Sequence, residues 1–351
     1  MNFAENSENF CDKAVFSPFP GGTREGKKFF SGAVCLFDSG VGGLSVLFKC
    51  REILPSRKFI YYGDNVRAPY GNLPPEAICR YVSEAAEELA GYFPPALVLA
   101  CNTAEACCGE SLRKKYPFPV LGACPPVLAA GKNGGDGLVL VTRATYESRA
   151  FASLLRQAEM RFPAARFYPY PCDSLAGKIE DTLASAPDEF YTAELPAQKF
   201  SFVVLGCTHY AHVREAIARR YGCPVYDGAE GLARRLAVTL AARKTEAGSR
   251  GSAEDSFPAE NENGVDFSAG KGKEQNLRPC VTTSVPAAQN SADFSAETIS
   301  SDGKVLFLGS GREKNRTFYE HSFARNLSQN GQKWSICPVF LNFAKIFPKN
   351  N

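Results

Sequence analysis

Two short stretches of the chain repeat one another in kind. Leu97-Val98-Leu99-Ala100-Cys101-Asn102-Thr103 and Val203-Val204-Leu205-Gly206-Cys207-Thr208-His209 each set a cysteine at the end of an apolar run. Hydroxyl or amide residues follow in both, suited to opening a helix. The cysteines stand 106 residues apart, about one domain length. Two similar halves, each offering one thiol to a shared cleft, would put a base on either side of a substrate carbon. One base removes a proton from one face while an acid returns a proton to the other, which inverts a stereocentre. A free thiol, with a pKa of about 8.5, is only a few per cent ionised at neutral pH. Each therefore needs a helix amino end or a neighbouring proton acceptor, and Asp38 and His209 are the candidate assistants.

Two other chemistries compete with this one. Cys101, Cys207, His209 and Asp38 could supply zinc ligands, but Cys-x-His is tighter than usual metal spacings and no Cys-x-x-Cys pair accompanies it. The expectation is no metal. A redox disulfide would require the two thiols to meet across a substrate-sized cleft. Cys50, Cys79, Cys107, Cys108 and Cys124 read as small buried hydrophobes, and His212 and His321 as packed or solvated.

Two further segments follow apolar runs. Cys35-Leu36-Phe37-Asp38-Ser39-Gly40-Val41-Gly42-Gly43 brings a carboxylate, a hydroxyl and three glycines to a helix start, where backbone amides favour an anionic group. Its spacing fits neither the dinucleotide fingerprint nor the phosphate loop. Tyr62-Gly63-Asp64-Asn65-Val66-Arg67-Ala68-Pro69-Tyr70-Gly71 reads by itself as a turn.

The elements that must position these residues are strands alternating with helices. Apolar runs at 33–37, 59–62, 96–100, 120–122, 138–141, 201–205, 224–226 and 305–308 read as strands, and 76–91 and 146–159 (after a cap at Thr145) as helices. Such alternation predicts an α/β fold with parallel sheets, whose ligands sit beyond the carboxyl ends of the strands. Residues 1–32 read as a flexible N-terminal extension, and 246–300, poor in large apolar residues, as a disordered insertion. The remainder suits two domains of about 130 residues each.

Composition narrows the class. The 351 residues are 44% hydrophobic and 22% charged, the balance of a globular chain. With 40 basic against 37 acidic residues the net charge is +3, so no nucleic-acid partner is demanded. No run approaches the roughly 18 apolar residues of a membrane helix, and 1–32 lacks a secretory pattern, so the expectation is a cytoplasmic protein with no membrane partner. Thirteen cysteines without framework spacing then read as thiols.

Taken together, Asp38-Ser39-Gly40-Val41-Gly42-Gly43-Leu44-Ser45-Val46-Leu47, Pro69-Tyr70-Gly71, Ala100-Cys101-Asn102-Thr103-Ala104 and Leu205-Gly206-Cys207-Thr208-His209-Tyr210 resemble glutamate racemase, of the aspartate/glutamate racemase superfamily. The resemblance covers about 33–230 and extends to the tail after 300. It implies two doubly wound parallel-sheet α/β domains related by a pseudo-two-fold axis, one of 33–124 plus 226–245 and 301–351, the other of 125–225, with the active site between them. It further implies cofactor-independent interconversion of L- and D-glutamate for peptidoglycan, with no pyridoxal phosphate and no metal. Glutamate would be the small-molecule partner, and a homodimer is compatible with the resemblance. Carried over, Cys101 becomes the base toward D-glutamate and Cys207 toward L-glutamate, with Asp38, His209 and Glu180 as assisting groups. Asp38, Ser39, Tyr70, Gly71, Asn102, Thr103, Thr145, Thr208 and His209 would surround the substrate. Pro171-Cys172-Asp173-Ser174 departs from the more apolar Cys-Pro segment the resemblance leads one to expect upstream of Glu180. A sister racemase acting on aspartate or a hydantoin, and a non-catalytic thiol or zinc protein, are the alternatives.

Overall fold

The computed structural model describes residues 24–182, 184–250, 298–299 and 305–310. A six-residue helix, α1 (Arg24–Phe29), leads into β1 (Val34–Asp38), α2 (Leu44–Ile53), β2 (Phe59–Asp64), α3 (Pro75–Ala90), β3 (Leu97–Leu99), α4 (Asn102–Lys115) and β4 (Val120–Gly122). A second series follows: α5 (Val127–Ala130), β5 (Gly135–Val141), α6 (Arg143–Tyr146), α7 (Arg149–Arg161), β6 (Ala165–Pro171), α8 (Leu175–Thr182), α9 (Asp188–Thr192), β7 (Phe202–Leu205), α10 (Arg214–Tyr221) and β8 (Val225–Tyr226). The chain then runs through α11 (Ala229–Arg250), β9 (Thr298–Ile299) and β10 (Val305–Ser310).

These strands build two sheets, in the orders β4-β3-β1-β2-β10-β9 and β6-β5-β7-β8. Read backwards, the second matches the first four strands of the first place for place: β8 with β4, β7 with β3, β5 with β1, β6 with β2. All pairings are parallel except β10 with β9. The strand order reverses beside β1 and β5, which is where doubly wound sheets open their ligand crevices. Cys101 follows β3 and Cys207 follows β7, so the repeat seen in the sequence is a repeat of topology.

Continuous apolar runs became strands because both faces of each sheet are covered. In the first sheet Cys35, Phe37, Ile60, Tyr62, Leu97 and Leu99 pack against Ile78, Val82 and Leu89 of α3 and Cys108 and Leu112 of α4. Their neighbours Val34, Leu36, Phe59, Tyr61 and Val98 face Leu44 and Leu47 of α2 and Leu232, Leu236 and Leu240 of α11. In the second, Leu138, Leu140, Val203 and Leu205 meet α8 and α10, while Val139, Val141, Phe202 and Val204 meet α5 and α7. Both sheets belong to one compact unit, Met1–Ala241 with Phe294–Asn351; Ala242–Asp293 is the other.

Several sequence expectations need correction. The extension read over 1–32 turns helical at Arg24, because Phe30 is fully buried and Lys58 caps Phe29 O at 2.9 Å while standing 3.5 Å over its ring. The stretch read as an insertion from 246 begins inside α11, which runs to Arg250, and includes β9; 1–23, 251–297 and His321 lie outside the described residues. The helix expected at 146–159 is two helices. Thr142 caps α6 and Ser148 caps α7, its hydroxyl accepting from Phe151 N. Strand β6 was missed because Pro169 and Pro171 lack ladder donors; it is tolerated at an edge, paired only with β5.

Candidate functional site

Cys101 is itself the cap of α4: its Sγ accepts from Ala104 N at 3.5 Å, so the thiol sits on a helix amino end. Its proton points to Ser39 Oγ at 3.6 Å. The thiol is 4% exposed, and burial, with Asp38 and Cys207 nearby, pushes it up to about 12 against the helix amide and Ser39. Cys101 therefore rests as a thiol, a proton donor.

Cys207 is placed differently. His209 Nδ1 lies 3.6 Å from its Sγ, and His209 Nε2 donates to Glu180 Oε1 at 2.6 Å. Burial pulls the imidazole down, but its bonds to Cys207 and Glu180 more than offset this and raise it well above the ordinary histidine range. Cys207, His209 and Glu180 thus form one hydrogen-bonded relay, with the imidazole between sulfur and carboxylate.

Asp38 joins the two sides. It is fully buried and accepts from Gly40 N at 3.0 Å and from Thr208 Oγ1 at 3.1 Å across the sheets. Burial raises its carboxyl, and His209, Gly40 and Thr208 pull it back. Gly42 makes this approach possible: a Cβ there would lie 2.4 Å from Thr208 Oγ1 and 2.7 Å from His209 N, and backbone cannot yield that space.

A chain of buried hydroxyls joins the two halves beside Asn102. Thr103 Oγ1 lies 2.9 Å from Thr142 Oγ1, which reaches Thr145 Oγ1 at 3.0 Å. Gly71 packs on Thr142, where a Cβ would stand 2.9 Å from Thr142 Cβ. Asn102, Cys207 and Thr208 line a small crevice with Ser45, Asp227 and Gly228.

The structure thus brings Asp38, Ser39, Cys101, Asn102, Thr103, Thr145, Glu180, Cys207, Thr208 and His209 together. The anomalous Pro171–Ser174 segment does not displace Glu180: Cys172 is buried, its carbonyl accepts from Tyr210 OH at 2.9 Å, and Asp173 pairs with Arg143 at 2.7 Å. Tyr70 differs from expectation. Its hydroxyl donates to Asp64 Oδ2, which also holds Arg67 Nε at 2.7 Å, so it braces the loop beneath the site. Tyr70→Phe is expected to cost about 2 kcal/mol, since the buried carboxylate loses a donor, and to lower Tm by roughly 5 °C. Calorimetry giving an unchanged Tm would return that hydroxyl to the substrate side. Thr142 was missed in the sequence; it directly follows β5 as Ser39 directly follows β1, and aligning the two halves would have found it.

Among the described residues, no group of three or more His, Cys, Asp and Glu side chains is arranged to hold a metal ion. The described cysteines are all free thiols. No described helix is long and apolar enough to cross a membrane.

Two α/β sheets of repeated topology, each delivering one thiol with its own proton partner, define a class of protein built for acid–base chemistry from two sides. The chain belongs to the Asp/Glu/Hydantoin racemase family, whose family model matches residues 51–236. It is 38% identical over 229 residues to a glutamate racemase of Pseudomonas aeruginosa, covering 61% of this chain and 83% of that protein. It is 34% identical over 212 residues to one from Clostridium botulinum, covering 57% and 80%. Escherichia coli glutamate racemase, solved in complex with L-glutamate and the activator UDP-MurNAc-ala, is similar with a TM-score of 0.53 and 30% identity, over 60% of this chain and 82% of that one.

Proposed function

We propose that the chain is a glutamate racemase that interconverts L- and D-glutamate by two-thiol proton transfer, supplying D-glutamate for peptidoglycan. One observation carries the reading: thiols at equivalent strand ends of two repeated sheets, one resting protonated against Ser39 and the other relayed through His209 to Glu180. Cys207 takes the α-proton of L-glutamate while His209 holds the matching charge. Cys101 gives its proton to the opposite face, yielding D-glutamate. In the reverse direction the roles exchange.

The planar intermediate carries negative charge on its carboxylate. Backbone amides at the start of α4 and the hydroxyls of Ser39, Thr103, Thr145 and Thr208, with Asn102, are arranged to stabilise it. Tyr70 and Gly71 support these groups. Each half of the protein contributes one acid–base group, so the division into two domains at the sheets is part of the same proposal.

The test follows the circular dichroism of L-glutamate in heavy water with metal-stripped, pyridoxal-free protein, and α-deuterium by mass spectrometry. Decay of the signal with deuterium incorporation is expected. A flat signal with glutamate and turnover of aspartate or a hydantoin would move the assignment to a sister activity, which the breadth of the matched family keeps as the second reading.

A further inference from the structure

The peptide of Val41 is gripped on both sides by the second half of the protein. Its N–H donates to Glu180 Oε1 at 3.0 Å, and its carbonyl accepts from His212 Nε2 at 3.2 Å. Val41 is at the centre of the loop that carries Asp38 and Ser39 and ends at the glycines before α2, all of it on the first sheet. Glu180 belongs to α8 and His212 to the turn after Cys207, both on the second. Gly40 and Gly42 flank Val41, and a Cβ on Gly40 would stand 2.0 Å from Glu180 Oε1, so the loop backbone lies directly on the opposing half. Because Val41 offers an oxygen, Nε2 of His212 is the protonated nitrogen.

Both thiols are buried, Cys101 at 4% and Cys207 at 7% exposure. The same loop carries Asp38, which holds Thr208, and Ser39, which meets the Cys101 thiol, so parting it from the opposing turn loosens the packing around both thiols. Glu180 Oε1 also accepts from His209 Nε2 and so belongs to the relay, whereas the bond from His212 to Val41 O joins the two halves.

We infer that His212 is a positioning residue, a latch that holds the Asp38–Gly43 loop against the second half and closes the cleft over Cys101 and Cys207. As a single net hydrogen bond it shifts the balance between open and closed forms by about tenfold. The closed form is shared by bound substrate and transition state, so losing the latch raises KM with little change in kcat; that kinetic arm rests on the racemase reading. His212→Leu keeps the bulk and removes the donor, whereas His212→Gln returns an N–H near the place of Nε2.

The experiment measures alkylation of Cys101 and Cys207 by N-ethylmaleimide, peptide by peptide, in wild type, His212→Leu and His212→Gln, with KM and kcat alongside. Both thiols are expected to react about tenfold faster in His212→Leu and near the wild-type rate in His212→Gln, with KM following. Equal alkylation in all three proteins overturns the latch, and so does a fall in kcat at constant KM, which would make His212 part of the proton chemistry. Alkylation needs no turnover, so a chain that failed to racemise glutamate while showing this pattern would lose the functional reading and keep the latch. In the wild type, whatever the variants' folding, the His212 imidazole N–H should be slowed in solvent exchange by nitrogen-15 NMR; a freely exchanging proton overturns it as well.

Discussion

Cys207→Ser and Cys101→Ser are each expected to lower kcat/KM for racemisation by about 10³-fold or more. A hydroxyl is a far weaker acid than a thiol, so neither the helix amino end at Cys101 nor the His209 relay at Cys207 can supply an alkoxide at neutral pH. Because the two enantiomers are equal in free energy, kcat/KM must fall equally in both directions, and the direction each thiol serves is hidden in steady-state rates. Isotope exchange separates them. Cys101→Ser keeps the base facing L-glutamate, so deuterium from solvent should enter L-glutamate without D-glutamate forming; Cys207→Ser should label D-glutamate alone. Near wild-type turnover in either variant would sink the two-thiol mechanism, and labelling in the reverse sense would exchange the two assignments.

Glu180→Gln is expected to lower kcat/KM by about 10²-fold and to change its dependence on pH. The carboxylate accepts a hydrogen bond from Nε2 of the buried His209 at 2.6 Å, and with Cys207 it keeps the imidazole protonated well above its ordinary range. An uncharged amide withdraws that support, so His209 gives up its proton at lower pH and the alkaline fall of activity moves down with it. Stability has a definite sign. A histidine raised in the folded state adds stability that is fully present below its unfolded pKa of about 6.5 and is lost as pH rises through the folded value. The variant should therefore be destabilised most near pH 6, by about 2 kcal/mol, and least at alkaline pH. Denaturant unfolding at the two ends checks this; a penalty that grows with pH would mean that His209 is held neutral.

The weak local signals around Glu180 and His212 show where reading along a chain stops. Cys101 and Cys207 announced themselves because an apolar run followed by a thiol and a helix opener is a local pattern, and a strand buried on both faces is continuous in sequence. Glu180 sits on α8, 27 residues ahead of Cys207 with no motif around it, and its meeting with His209 and with Val41 N depends on how two sheets approach. His212 read as packed or solvated, which describes its surroundings and misses its partner. Tyr70 was legible as a site residue from its neighbours, yet only the buried Asp64 decides where its hydroxyl points. Strand β6 escaped because edge position, which excuses its prolines, is a property of the sheet.

By itself the chain's order of residues determined the α/β alternation, the two thiol-bearing strand ends and the glycines that let backbones meet, since these follow from periodicity and from side chains too small to clash. The tertiary structure alone decided that Cys101 keeps its proton against Ser39 while Cys207 shares one with His209, and that Val41 is held from both sides. Those outcomes depend on burial and on distances of a few ångströms between segments far apart in the chain, and no local pattern carries either.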